Sequence, residues 1–151
     1  MALTACVTQA PLTTPAVPAA PAEPVSSGLG LSKATAIEVC RPLGERAYLN
    51  QLQCADGERP KYRRVGSFGP RTATPPPSSD AEAKAQLKRA LSAKTLRPGE
   101  PDIHVVDGYE VVCSDGKHMI YMDMYHCEQP PPSEAPPGFR LRPLRRGVAG
   151  I

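Results

Sequence analysis

The sequence predicts a small β-rich α+β domain, built of antiparallel hairpins with one short helix and two disulfides, between disordered proline-rich ends. Three observations lead there. Nineteen prolines and twelve glycines among 151 residues are too many for a uniformly packed chain. Leu, Ile, Val and Phe together number 28, below the usual globular share, so the ordered core must be smaller than the chain. Four cysteines, Cys40, Cys54, Cys113 and Cys127, form two pairs, each with a spacing of 14 positions, and a core this small ordinarily needs such staples.

Taken in order, residues 1–30 read as a tether. From 7 to 30 the chain carries prolines at 11, 15, 18, 21 and 24 and almost no charge. It buries too little to offset its chain entropy and favours extended, polyproline-like states. The folded unit is expected over 31–127. Residues 128–151 read as a second disordered tail, proline-rich and then basic through Arg140, Arg142, Arg145 and Arg146. The net charge of +3 sits mostly in that tail, and the near-balanced middle argues against a nucleic-acid partner. No run of about 20 apolar residues offers a membrane-spanning helix.

Within the middle, Cys54-Ala-Asp-Gly and Cys113-Ser-Asp-Gly are each followed by a tyrosine at the same offset, Tyr62 and Tyr121. Asp-Gly between extended residues signals a hairpin, because a type I′ turn needs positive φ that glycine accepts without strain. Turns are therefore expected at Asp56-Gly57 and Asp115-Gly116. Around the second, strands over 104–113 and 118–127 are rich in β-branched and aromatic residues. Before the first, ERAYLNQLQ fits a strand or two turns of helix. Residues 70–101 look like an insertion. There Ser79 with Glu82 offers a capping box, and Ala83, Leu87, Ala90 and Leu91 share one face of a helix expected to cover one side of the sheet.

Register bears on the disulfides. With Ser114 opposite Lys117, Cys113 shares a face with His118, Ile120, Met122, Met124 and His126, while Cys127 lies on the other. A Cys113–Cys127 bond is then disfavoured. Two connectivities remain, Cys40 with Cys113 and Cys54 with Cys127, or Cys40 with Cys127 and Cys54 with Cys113. A Cys54–Cys113 bond would close a loop of about 60 residues, worth roughly 4 kcal/mol in the chain-entropy treatment.

Candidate chemistry is sparse. His118, Met122, Met124 and His126 supply the imidazole and thioether donors that suit Cu(I), against the plainer reading that methionine fills an irregular core. The cysteines lie too far apart for a zinc ribbon, whose pairs are two to four residues apart. His104, Asp107, Asp123 and His126 fall near one end of the hairpin, yet no nucleophile elbow, metalloprotease helix or phosphate-cradling loop accompanies them, so no catalytic residue is assigned. Gly66-Ser67-Phe68-Gly69 reads as a strand-ending turn. Tyr48, Tyr62, Arg63, Arg64 and Tyr109 are candidates for a protein-facing surface, since Tyr and Arg are favoured at interfaces.

Two short motifs carry resemblances. MALTAC resembles the end of a bacterial lipoprotein signal, with Leu3, Thr4 and Ala5 matching the lipobox that closes on a cysteine, here Cys6. The resemblance implies lipidation of Cys6, a periplasmic domain anchored to the outer membrane, and membrane contact through the lipid alone. Were LTAC coincidental, the chain would be cytoplasmic and its four central thiols would return to a metal or redox reading. Tyr109 to Gly116, a Tyr-x-x-x-Cys-x-x-Gly pattern, is similar to a hairpin of small periplasmic lysozyme inhibitors. The Met/His set loosely resembles that of periplasmic copper carriers. The expected function is a non-catalytic cell-envelope lipoprotein acting as a binding or inhibitor module without a cofactor, its partner an envelope protein or cell-wall component. The alternatives are a copper-binding protein using Met122, Met124 and His126, and a small envelope enzyme.

Overall fold

The sheet is built outward from the hairpin that follows the long 70–101 excursion. In the computed structural model, which describes residues 28–143, β4 (Val105–Cys113) and β5 (Gly116–Asp123) pair antiparallel. β3 (Lys61–Pro70) adds antiparallel to β4, and β1 (Ile37–Glu38) adds parallel to β5, giving the order β1-β5-β4-β3. Residues 1–27 of the tether, with Cys6, and the last arginines, Arg145 and Arg146, lie outside the described residues; residues 28–30, assigned to the tether, belong instead to the folded body, where Leu29 packs against the core and the Gly30 carbonyl accepts from the Tyr121 amide.

The hairpin register differs by two positions from the expected one. Cys113 faces Gly116, and the loop is Ser114-Asp115 rather than Asp115-Gly116. Neither loop residue takes a positive φ, so this is not a type I′ turn; Gly116, at φ 138°, absorbs the strained angle as the first strand residue. A two-residue slip preserves side-chain parity, so the faces stand as anticipated. Asp107, Tyr109, Val111, His118, Ile120 and Met122 occupy one face, now with His118 opposite Val111 and Met122 opposite Asp107. The strand stops at Asp123, short of 127, because the Asp123 carboxylate accepts from the Tyr125 backbone and turns the chain. At the other Asp-Gly, Gly57 donates to the Cys54 carbonyl at φ 87°, closing a turn centred on Ala55-Asp56.

Of residues 45–53, left open by the sequence between helix and strand, the first five close α1 (Arg41–Leu49), which carries Pro42 in its first turn where no amide hydrogen is needed, and Leu52–Gln53 is strand. The domain thus has two helices where one was expected. Glu45, Tyr48 and Leu49, spaced i, i+3, i+4, are buried. Tyr48 and Leu49 join Ile37, Val39, Tyr109, Val111, Ile120 and Met122 in a single core.

The other wall of that core comes from the segment assigned to a disordered tail. Phe139 is buried in the cluster, Tyr48 donates through its hydroxyl to the Glu134 carbonyl, and β6 (Arg140–Leu141) pairs antiparallel with β2 (Leu52–Gln53). The folded body therefore runs through 143. Composition misled because prolines here space out a strap rather than release a tail.

α2 (Asp80–Ala90) starts as its capping box dictates, Ser79 Oγ accepting from the Glu82 amide at 3.2 Å. Glu82 reaches back to Ser78 rather than to the cap. The helix does not cover the sheet: no residue in it is buried, and Leu87 and Leu91 are 58% and 49% exposed. Two leucines and two alanines make too thin an apolar stripe to offset docking entropy. The excursion is tied down at its base, where Arg71 and Thr72 amides donate to the His104 and Asp102 carbonyls.

Two disulfides close the structure, Cys40–Cys127 and Cys54–Cys113. This is the second of the two connectivities left open by register. Such cross-links belong to chains that fold outside the reducing cytosol. Among the described residues no helix is long and apolar enough to cross a membrane.

Candidate functional site

The five residues expected to form a protein-facing surface divide between core and edge. Tyr48 and Tyr109 are core: Tyr48 is fully buried, and Tyr109 donates to Glu45 inside the fold. Both are corrections, and the cause is α1, which covers the face of the sheet that carries Tyr109. Tyr62, Arg63 and Arg64 lie on β3. Tyr62 donates to Asn50 Oδ1 at 2.9 Å, Arg63 pairs with Glu110 at 2.9 Å, and Arg64 clasps Asp107 through two nitrogens at 2.6 and 2.7 Å.

β3 is the outermost strand, with β4 on one side, and among the described residues its other edge makes no backbone hydrogen bond. Val65 and Phe68 are partly exposed on it. The Phe68 ring lies over Gly108, where a Cβ would stand 2.3 Å from the ring, so the glycine makes room for the aromatic. Gly66-Ser67-Phe68-Gly69 is thus strand, not a strand-ending turn, with two register shifts near its glycines.

Of the copper candidates, His118 lies apart from His126. His118 bonds Asp115 at 3.0 Å and meets Phe139 edge-on, whereas His126 sits beside Asp123, roughly 17 Å of strand away. Met122 is fully buried among apolar side chains and Met124 packs against the same core.

Three of the four residues noted near the hairpin's end do converge, with partners the sequence did not suggest. His126 Nε2 lies 3.0 Å from Asp102 and 3.2 Å from Asp123, and its Nδ1 lies 3.2 Å from Glu128. His104 Nδ1 is 2.9 Å from Asp102 Oδ1 and 3.7 Å from Asp123 Oδ2. Arg71 bonds Glu38 at 2.6 Å and reaches Asp102 at 3.2 Å. Asp107, the fourth, is held by Arg64 and Ser67 instead.

Burial alone would lower the basicity of His126, but the hydrogen bonds to Asp102 and Asp123 outweigh it and raise the imidazole to about 10. Burial likewise pushes Asp102 upward, yet His126 and the His104 amide together hold it down to about 2. Asp102, Arg71, Glu38 and Glu128 were missed because they come from four distant stretches of chain. Asp102, two residues before His104, and Glu128, two after His126, lay close enough in sequence to prompt a guess; Arg71 and Glu38 did not.

No family model matches the chain, and no curated protein or solved structure is significantly similar to it.

Proposed function

We propose that the chain is a non-catalytic binding or inhibitor module of the bacterial envelope, held there through lipidated Cys6, and that it engages an extended acidic segment of an envelope protein along β3. The observation that carries this reading is the open edge of a ten-residue strand, whose amides and carbonyls offer a template for one more strand. Arg59, Lys61 and Arg63 lie exposed beside or on it, favouring a partner of negative charge. The two disulfides suit a periplasmic address, and the LTAC motif supports the anchor. The basic residues and irregular register of β3 also discourage pairing between copies of the chain.

The test is site-specific photo-cross-linking in the producing bacterium from Val65, with Leu87 on α2 as the reference position. The reading expects an adduct from Val65 alone, mapped to an acidic extended segment, and slowed amide exchange along β3 when that segment is added as a peptide. Equal adducts from both positions, or unchanged β3 exchange, would overturn it.

A further inference from the structure

Asp102, His104, Asp123 and His126 each direct one donor atom to a common point, and these four atoms lie within 4.8 Å of one another. Ligands around a tetrahedral ion, at about 2.0–2.1 Å from it, stand roughly 3.4 Å apart, so only a small contraction separates this arrangement from a coordination shell. Proximity of acids and histidines is not enough by itself, because such groups can satisfy one another.

His104 is the member that is not satisfied. Its side chain is 3% exposed, and its Nδ1 has no hydrogen-bond partner although it points at the two aspartates. The 2.9 Å approach to Asp102 lacks the alignment of a hydrogen bond. A buried imidazole nitrogen left in this way is costly, and a cation between it and the carboxylates would remove the cost.

His126 supplies a second, independent sign. Its Nδ1 donates to Glu128 at 3.2 Å, while Nε2, now donating to Asp102 and Asp123, is turned so that an ion displacing its proton would meet it together with both carboxylates. A carboxylate behind an imidazole in this manner fixes the tautomer of a metal ligand and strengthens it as a donor. Charge agrees with geometry. Four carboxylates gather there: Glu38, Asp102 and Asp123 lie within 4 Å of Arg71, whose shortest contact is with Glu38, while Glu128 faces His126, so acids outnumber the guanidinium and the one imidazole they hold charged.

We propose that Asp102, His104, Asp123 and His126 bind one divalent transition-metal ion, and that Zn2+ fits them best. Two imidazoles and two carboxylates form a neutral nitrogen–oxygen shell with the dication, from donor types that zinc accepts and in the four-coordinate number it prefers. No thiolate takes part, since the four central cysteines are paired with one another. His104 also borders a cavity of about 670 Å³ lined by residues of the 92–100 segment. Once bound, the ion joins the base of the 71–102 excursion to the end of β5. This site is separate from the β3 edge, and the two proposals stand or fall apart.

The experiment is a titration of the untagged full chain, disulfides intact, with Zn2+ against a chromophoric chelator. One ion per chain with submicromolar affinity is expected, together with a rise in melting temperature on adding Zn2+. Asp102→Asn and His104→Gln should each weaken binding by about 100-fold or more and abolish that rise, and Glu128→Gln should weaken it about tenfold. Met122→Leu should leave it unchanged. The proposal is overturned if the unaltered chain retains no Zn2+ at about 10 μM, or if a folded His104→Gln chain binds as tightly as the original. Where His104→Gln does not fold, the unaltered chain and Glu128→Gln decide.

Discussion

The phenol of Tyr109 donates to Glu45 Oε2 at 2.8 Å, joining the core face of β4 to a helix 64 residues earlier in the chain. The second oxygen of Glu45 is buried with no partner. Burial dominates and raises the carboxyl from 4.5 to about 7, against the lowering effect of the Tyr109 bond and with the help of nearby Asp107. A folded value above the unfolded one means stability that is whole below about pH 4.5 and is lost as pH rises through 7. The loss amounts to about 3 kcal/mol at most. Glu45→Gln removes this dependence, so urea unfolding should show the variant gaining on the original between pH 5 and pH 8. A difference that does not change with pH would refute the assignment.

Cys54–Cys113 ties the turn before β3 to the end of β4. Replacing both residues with alanine should cost about 3–4 kcal/mol, the chain-entropy value for a loop of tens of residues. Urea unfolding of the double variant, with Cys40–Cys127 left in place, measures it. A loss below about 1 kcal/mol would mean the core holds itself closed without that bond.

Arg41, the residue after Cys40, has φ 63°, which an L-residue adopts at a cost of about 1–2 kcal/mol. Its amide donates to the Met124 carbonyl at 2.7 Å, and that contact keeps the angle in place. Arg41→Gly should raise stability by up to about 1 kcal/mol, visible as a higher melting temperature. A lower one would show that the arginine side chain contributes more than its backbone costs.

Phe139 tests whether the C-terminal strap belongs to the core. Phe139→Ala should destabilise the fold by about 3 kcal/mol or more, since the ring fills space against His118 and the core cluster. Leu87→Ala on α2, exposed on its helix, should change stability by less than about 0.5 kcal/mol. The contrast between the two in thermal melts is the measurement; equal effects would refute the assignment of core and excursion.

What could be read from the chain alone was local. The Cys113-Ser-Asp-Gly hairpin, the capping box at Ser79 and the inward parity of Ile120 and Met122 each depend on residues within a few positions of one another. The disulfide pairing was narrowed by the same parity. The path of the chain beyond those units was not legible. Phe139 sits in a stretch whose prolines resemble those of a linker, and only its contacts distinguish the two. Leu87 and Leu91 follow a helical period, but period does not say whether a stripe finds a surface. His104, Asp123 and His126 were visible as residues near one end of a hairpin. Asp102 and Glu38 reach them through the turn at Asp123 and the parallel pairing of β1, which no short-range pattern encodes.

The two cross-links are nested, with Cys54 and Cys113 both lying between Cys40 and Cys127 in the chain. Scission of the polypeptide anywhere from 72 to 101, where α2 stands exposed, therefore yields two fragments that remain covalently joined at two points. Such a molecule would keep its sheet and both proposed contact regions, would gain only the mass of one water under non-reducing conditions, and would come apart only when a reductant is added.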